Sequence, residues 1–417
     1  MHLGLLALSL EGYKVEDDCM QRGFRAIERF AWQDSTGRRI QACVSPVWDT
    51  ALMIIGISDS GLLKDTEEMK KAVDWMQHKQ LLGLEGDWRV YSPGTRSGGF
   101  SFEYHNTWYP DVDDTAAVIL AFIKHDINRA GSNSVLDAVE WVLGMQNRDG
   151  GWAAFDINND ALFLNKIPFS DMDSLSDPST ADVTGRVIEA FGLFTSVIVQ
   201  RLNKFAPTES FTRANSLADR VTASLSPALA YLARTQEHTG AWYGRWGSNY
   251  VYGTSNVLCS LAVLAHLVTL LPQLHSCHSE AVPFHTDGYI QGLVDPAITW
   301  LKNVQNTDGG FGEQLKSYSN PALAGCGPST ASQTAWGLMG LLSFLPADDT
   351  SVERAVRWLI NGQRQVDGGS KWPETAYTGT GFPGFFYIGY DLYSHYFPMM
   401  ALGRYYKSKL LARSLIR

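Results

Sequence analysis

With 417 residues, 45% hydrophobic and 18% charged, the chain can bury a sizeable core and is far too apolar for intrinsic disorder. A net charge of −9, with no long basic stretch, excludes a general attraction to nucleic acid. Five scattered cysteines without a CxxC pair argue against a disulfide framework and fit an intracellular, reducing compartment.

Residues 1–10 are apolar but lack a basic n-region and a small-residue cleavage site, so they read as a helix and not as a signal peptide. The first repeated unit follows: Ala72, Trp75-Met76, Gln80 and a turn at Gly86-Asp87-Trp88. Four more units share its pattern of small residue, aromatic, aliphatic, Gln and Gly-rich turn. They run Ala138, Trp141, Gln146, Gly150-Gly151-Trp152; Ala228, Tyr231, Gln236, Gly240-Ala241-Trp242; Ala297, Trp300, Gln305, Gly309-Gly310-Phe311; and Ala355, Trp358, Gln363, Gly368-Gly369 with Trp372. The Gln residues stand 66, 90, 69 and 58 apart, which signals a repeat architecture. In each unit the spacing predicts an amphipathic helix. The Gly-rich element stops it, because Gly tolerates a left-handed C-cap, and the aromatic is expected on the Gln amide or beside the helix end.

Second, apolar helices are predicted over Ala116–Lys124, Val183–Leu193, Val257–Leu271, Ser332–Phe344 and Pro398–Tyr406. Val257–Leu271 is the longest apolar run, carries His266 and is too short to span a bilayer. Paired helices repeated about six times predict an all-α fold, an α/α toroid or double-ring helical barrel around a central cavity. β-strand alternation is weak everywhere. Val197–Ser226 and Leu271–Tyr289 read as insertions, and His275, Cys277, His278 and His285 in the second read as a solvated loop, not a zinc site. The basic tail Arg404, Lys407, Lys409, Arg413 and Arg417 alternates with Leu410, Leu411, Leu415 and Ile416; it suits either anionic lipid or an ordinary amphipathic terminal helix.

The densest acidic cluster, Asp111-Val112-Asp113-Asp114-Thr115, precedes an apolar run and would serve as a helix N-terminus. A metal site is another reading, but no matching DDxxD-type motif lies elsewhere in the sequence. Phe102, Tyr104, Trp108 and Tyr109 flank the cluster, and three carboxyls this close cannot all ionise freely. A shielded, protonated Asp beside aromatic faces is a plausible Brønsted acid for an alkene, and π-faces suit the resulting carbocation. That chemistry needs no metal and no organic cofactor.

The repeats resemble the QW motifs of the squalene–hopene and oxidosqualene cyclase family. Asp111–Ala116 matches the D-x-D-D-T-A motif of its squalene–hopene branch. Ser45-Pro46-Val47-Trp48-Asp49-Thr50, Gly244–Thr254 and Gly379–Tyr405 are similar to that family as well, so the resemblance covers nearly the whole chain. It implies Asp113 as the acid, Asp111 and Asp114 as its supporting pair, and Asp182 and Arg186 as groups that bond to the acid. Tyr252 corresponds to a tyrosine implicated in reprotonation. Trp48, Phe102, Phe155, Phe169, Trp246, Phe382, Phe386, Tyr390 and Tyr393 match cavity aromatics. Known members carry His at the Arg186 position; Arg cannot give up its proton, so it would be a fixed charge that lowers the pKa of a neighbouring Asp.

The resemblance implies a class II cyclase of squalene or a similar linear polyprene, peripheral membrane contact without a transmembrane helix, and a homodimer as one possible assembly. Residues 1–44 would be the remnant of an N-terminal second α-barrel, and 45–417 the catalytic barrel with the DxDD motif. Two other readings stand beside this one. A protein prenyltransferase β-subunit would need an Asp/Cys/His zinc set, and no convincing set is apparent in the sequence. A non-catalytic lipid-binding or pseudoenzyme fragment of the family would keep the cavity without the turnover.

Overall fold

The computed structural model describes the chain apart from residues 1, 36, 42, 63–64, 84–85, 169, 203–208, 271–287, 367 and 416–417; side chains at 201–202, 209–211 and 412–415 are also outside the description. The expected insertion at 271–289, with its His and Cys residues, lies almost wholly outside the described residues. So does Phe169.

Six helices form an inner ring: α3 (Pro46–Ser60), α6 (Val112–His125), α8 (Ala181–Leu202), α10 (Tyr250–Leu270), α12 (Ala331–Leu342) and α14 (Tyr393–Leu415). Each packs on the next, and α14 returns to α3, closing the ring. Outside it stand α4 (Glu67–His78), α7 (Asn133–Gly144), α9 (Glu209–Thr235), α11 (Tyr289–Val304) and α13 (Thr350–Gly362). Two N-terminal helices, α1 (His2–Leu10) and α2 (Asp18–Glu28), and a short α5 (Trp88–Tyr91) are the remaining α-helices among the described residues. The toroid is therefore as expected.

Inner helices such as α6 and α12 are apolar and buried nearly all round. In α6, every residue from Val112 to Ile123 is buried. Such helices find their place between neighbours, not on a surface. The outer helices keep one apolar stripe, as in α13, where Val352, Ala355, Val356 and Leu359 are buried. α10 is long and apolar enough by length and composition to cross a membrane, yet it is an inner helix of the ring with most of its residues buried.

The repeated residues join one unit to the next. The Nε2 of Gln146 donates to Gly150 O in its own turn and to Ser224 O in α9, both at 2.9 Å. Gln236 does the same to Gly240 and Leu293, and Gln305 to Gly309 and Ser351. Gly150, Gly240 and Gly309 sit at φ of 93°, 93° and 94°, where a side chain would be strained. The aromatic that follows packs beside the helix end: Trp152 Nε1 donates to Val142 O and Trp242 Nε1 to Leu232 O, each at 2.8 Å.

Some details differ from the sequence reading. Gln80 donates to Gly98 O and Ser134 O, so the first unit's turn is Gly98-Gly99-Phe100 and not Gly86-Asp87-Trp88. Residues 81–97 are inserted between Gln and turn, and Trp88 packs edge-on against Trp141. α3 carries no amphipathic signal, because Val47, Trp48, Ala51, Leu52, Ile54 and Ile55 wrap around it. Three short antiparallel hairpins were not anticipated: β1 (Ala31–Asp34) with β2 (Gly37–Ile40), β3 (Arg364–Val366) with β4 (Gly369–Lys371), and β5 (Gly379–Phe382) with β6 (Phe386–Ile388).

Toward the C-terminal ends of the inner helices, a charged cluster ties the ring together. Asp59 accepts from Lys124 Nζ at 2.9 Å and Arg404 Nε at 3.0 Å. Arg404 also reaches Glu189 at 3.3 Å and Cys259 Sγ at 3.4 Å. Lys407 donates to Ser58 O, and Lys409 lies 3.7 Å from Glu353. These three tail cations are thus engaged within the fold; the side chains of Arg413, Leu415, Ile416 and Arg417 lie outside the described residues.

Candidate active site

All six inner helices begin at the same end of the ring, so their first turns converge there. A threonine in each of four of them receives the backbone N–H of the preceding turn's aromatic. Phe100 N lies 2.9 Å from Thr115 Oγ1, Trp152 N 3.0 Å from Thr184, Trp242 N 2.9 Å from Thr254, and Phe311 N 3.0 Å from Thr334. Two residues before each threonine stand Asp113, Asp182, Tyr252 and Ser332. The acid, its neighbour and the tyrosine therefore occupy one repeated position on successive helices.

Asp111 is the N-cap of α6. Its Oδ1 accepts from Asp113 N at 2.7 Å and Asp114 N at 3.1 Å, which satisfies two free donors of the first turn. The cap and the acid motif are one structure. Asp113 is 6% exposed, and its Oδ1 accepts from Arg186 Nε at 2.5 Å. Arg186 Nη2 reaches the Tyr252 hydroxyl at 2.7 Å, and its guanidinium lies 4.9 Å from the Trp48 ring centroid. Asp114 is 2% exposed and its Oδ1 has no hydrogen-bond partner.

Burial raises Asp113 to about 6; Arg186 pulls it down, and the charge of Asp182 adds to the rise. Loss of water outweighs the lowering by Arg186. Burial also lifts Asp111 and Asp114 well above the ordinary carboxyl range, reinforced in Asp111 by Asp113 and in Asp114 by Asp111 and Asp113. The cluster therefore holds its protons above the normal carboxyl range.

The three carboxyls open onto a cavity of about 380 Å³. Trp48, Phe102, Phe155, Trp246, Phe382, Phe386, Tyr390 and Tyr393 all line it. Tyr390 and Tyr393 are stacked, with centroids 4.2 Å apart and planes at 5°. Trp48 Nε1 donates to the Tyr393 hydroxyl at 3.1 Å, linking the first turns of α3 and α14. The β5–β6 hairpin contributes Thr380, Gly381, Phe382, Phe386 and Ile388 to one wall. An acid, an apolar void and π-faces suit protonation of an alkene and shelter of the cation.

Three expected residues stand behind this wall. Arg186 and Tyr252 lie under the acid, with Tyr252 against Trp336 at 4.8 Å. Asp182 does not touch Asp113; its Oδ2 accepts the backbone N–H groups of Arg245 at 2.9 Å and Trp246 at 2.8 Å and so fixes the segment that carries Trp246. Sequence reasoning missed Asp177, which is half-buried and accepts from Phe155 N and Asp156 N at 2.7 and 2.9 Å. It also missed Cys43 and Asn106 in the cavity wall. None of the three carried a signal in the sequence.

A family model described as the squalene-hopene cyclase C-terminal domain matches residues 44–207 and 209–407. The squalene hopane cyclase afumA of Aspergillus fumigatus is 48% identical over 91% of this chain and 51% of its own length. The terpene cyclase–glycosyl transferase fusion protein fsoA of Humicola fuscoatra is 47% identical over 97% of this chain and 29% of its own. The chain thus spans about half or less of the length of these curated relatives. Among solved structures, an ent-copalyl diphosphate synthase from Streptomyces platensis shares the fold, with a TM-score of 0.52 at 15% identity over 86% of this chain and 50% of that one. The match to the family model covers most of the sequence, and the chain belongs to the squalene-hopene cyclase family, within its C-terminal domain.

Proposed function

We propose that this chain bears the acid of a protonation-initiated terpene cyclase acting on squalene or a similar linear polyprene. The observation that carries this reading is the junction of three buried carboxyls with a cavity walled by eight aromatic side chains. Asp113 transfers its proton to a terminal double bond, and the carbon left positive is attacked by the next double bond along a prefolded chain. Ring closures repeat until a proton is lost or water is captured. The Asp113 carboxylate left behind is held by Arg186, whose Nε donates to its Oδ1.

Asp111 positions Asp113 through its backbone. Asp114 stands beside them both with an unpartnered oxygen. Tyr252 and Arg186 form the floor. Residues 1–44 are read as belonging to the second barrel domain, since the family match begins at 44. Peripheral membrane contact finds support in Leu162 and Phe163, 56% and 72% exposed, beside the larger pocket next to the acid cavity. A homodimer is proposed on the resemblance alone, and sedimentation of the purified chain reads it.

The test is incubation of the purified chain with squalene and analysis of extracted products by mass spectrometry. Cyclic product is expected, and Asp113→Asn should lower its formation by about 10³-fold with the fold intact. Equal turnover by Asp113→Asn would sink the assignment of the acid. Squalene binding without any cyclic product would instead favour a non-catalytic lipid-binding protein.

A further inference from the structure

Phe155, Trp246 and Phe382 line two spaces at once: the acid cavity on one side and a larger, more polar pocket of about 800 Å³ on the other. Arg245 lines only the polar side. Its guanidinium carbon lies 4.2 Å from the Trp246 ring centroid and 5.7 Å from that of Phe382. Its Nη2 donates to Gly381 O at 2.7 Å, and its backbone N–H is held by Asp182. Its Nη1 is buried without a hydrogen-bond partner, and among the described residues Arg245 makes no ion pair. A guanidinium stays protonated at neutral pH even when desolvated.

A cation on one face of an aromatic ring uses the quadrupole that a second cation on the other face would need. Two like charges across one ring also repel. Resting on the cyclase reading above, we infer that Arg245 is a specificity-determining residue. By occupying the far face of Trp246, it weakens that part of the wall as a resting place for a carbocation. Positive charge is steered toward Tyr390 and Tyr393, a stacked pair that lines the same cavity with no cationic group over either ring among the described residues. Arg186 stands over Trp48 in a similar way, but it also binds Asp113, so its removal would mix two effects. Arg245 donates no hydrogen bond to any of the three acids.

The test needs no turnover. N,N-dimethyldodecylamine, protonated at neutral pH, and its neutral isostere 2-methyltetradecane are titrated into the chain and followed by tryptophan fluorescence. In Arg245→Met the amine should gain about fivefold in affinity over the hydrocarbon, while Arg245→Lys keeps the original ratio. In a Trp246→Leu background the gain should vanish. An unchanged ratio in Arg245→Met, or a gain that survives Trp246→Leu, would overturn the inference. If Arg245→Met fails to fold, Arg245→Gln removes the charge and keeps a donor for the Gly381 carbonyl. With squalene, the share of incompletely cyclised product should rise severalfold in Arg245→Met. A wild-type chain that makes no cyclic product would defeat the cyclase reading, while the two ligands still decide the role of Arg245.

Discussion

On the proposed function, Asp113 donates a proton only while it holds one. With its pKa at about 6, the acid is half protonated near pH 6 and only about a tenth protonated at pH 7. Product formation should therefore fall about tenfold per unit as pH rises above that midpoint, measured as initial rate against pH. Arg186 lowers this pKa, so Arg186→Met should move the midpoint upward by about one to three units. A midpoint that stays put would show that the guanidinium does not set the acidity. At this scale the sequence was informative where chemistry and helix capping coincide. Asp111, Asp113 and Asp114 stand within four positions, and the run whose Asp111 caps α6 carries the buried carboxyls proposed as the acid. It was silent where partners are distant: Cys43 and Asn106 reach the cavity through loops whose path no local pattern encodes. Asp182 also shows the limit, since its two hydrogen bonds go to a backbone more than sixty residues away and not to the acid.

At the scale of the element, the repeat glutamines act as clasps between units. Gln236→Ala would leave the carbonyls of Gly240 and Leu293 without their donor. Loss of two hydrogen bonds at half-buried sites should cost about 1–3 kcal/mol, read as a lower denaturant midpoint, with product ratios unchanged. The same logic explains which elements were legible. Gln and Gly stand a fixed few residues apart in units two to four, so the helix and its stop are both visible. In the first unit an inserted segment separates Gln80 from Gly98, and the nearer Gly86 mimicked the turn. α3 was invisible to periodicity because it is apolar on every side. The β5–β6 hairpin was missed because its Gly-rich strands alternate too weakly, although Gly379 and Gly381 suit a wall where rings press close: a Cβ there would meet Tyr390 at 2.3 Å and Phe386 at 2.5 Å.

Across the whole molecule, the ring has two different ends. The first turns of the inner helices gather the acid and the aromatics, while their later turns are fastened by Asp59, Lys124, Glu189 and Arg404. Charges on Lys124 and Arg404 hold Asp59 well below the ordinary carboxyl range. Its stabilising contribution is present above the normal carboxyl pKa and is lost only under strong acid. Arg404→Met would remove one of its two close partners and strand Glu189. It should destabilise the fold by about 3–5 kcal/mol, seen as a drop in thermal midpoint at pH 7. An unchanged midpoint would show that the cluster only fills space.

The hydrogen bond between Trp48 and Tyr393 joins residues 345 positions apart. Contacts of such long range form late, because the loop they close must first be brought together. During synthesis, α3, α6 and the acid motif leave the ribosome long before α14 exists to complete the ring. Until α14 docks, the buried carboxyls of α6 would sit in an open, wetted trough. Docking of α14 against α3 is therefore the step that closes the aromatic cavity from water.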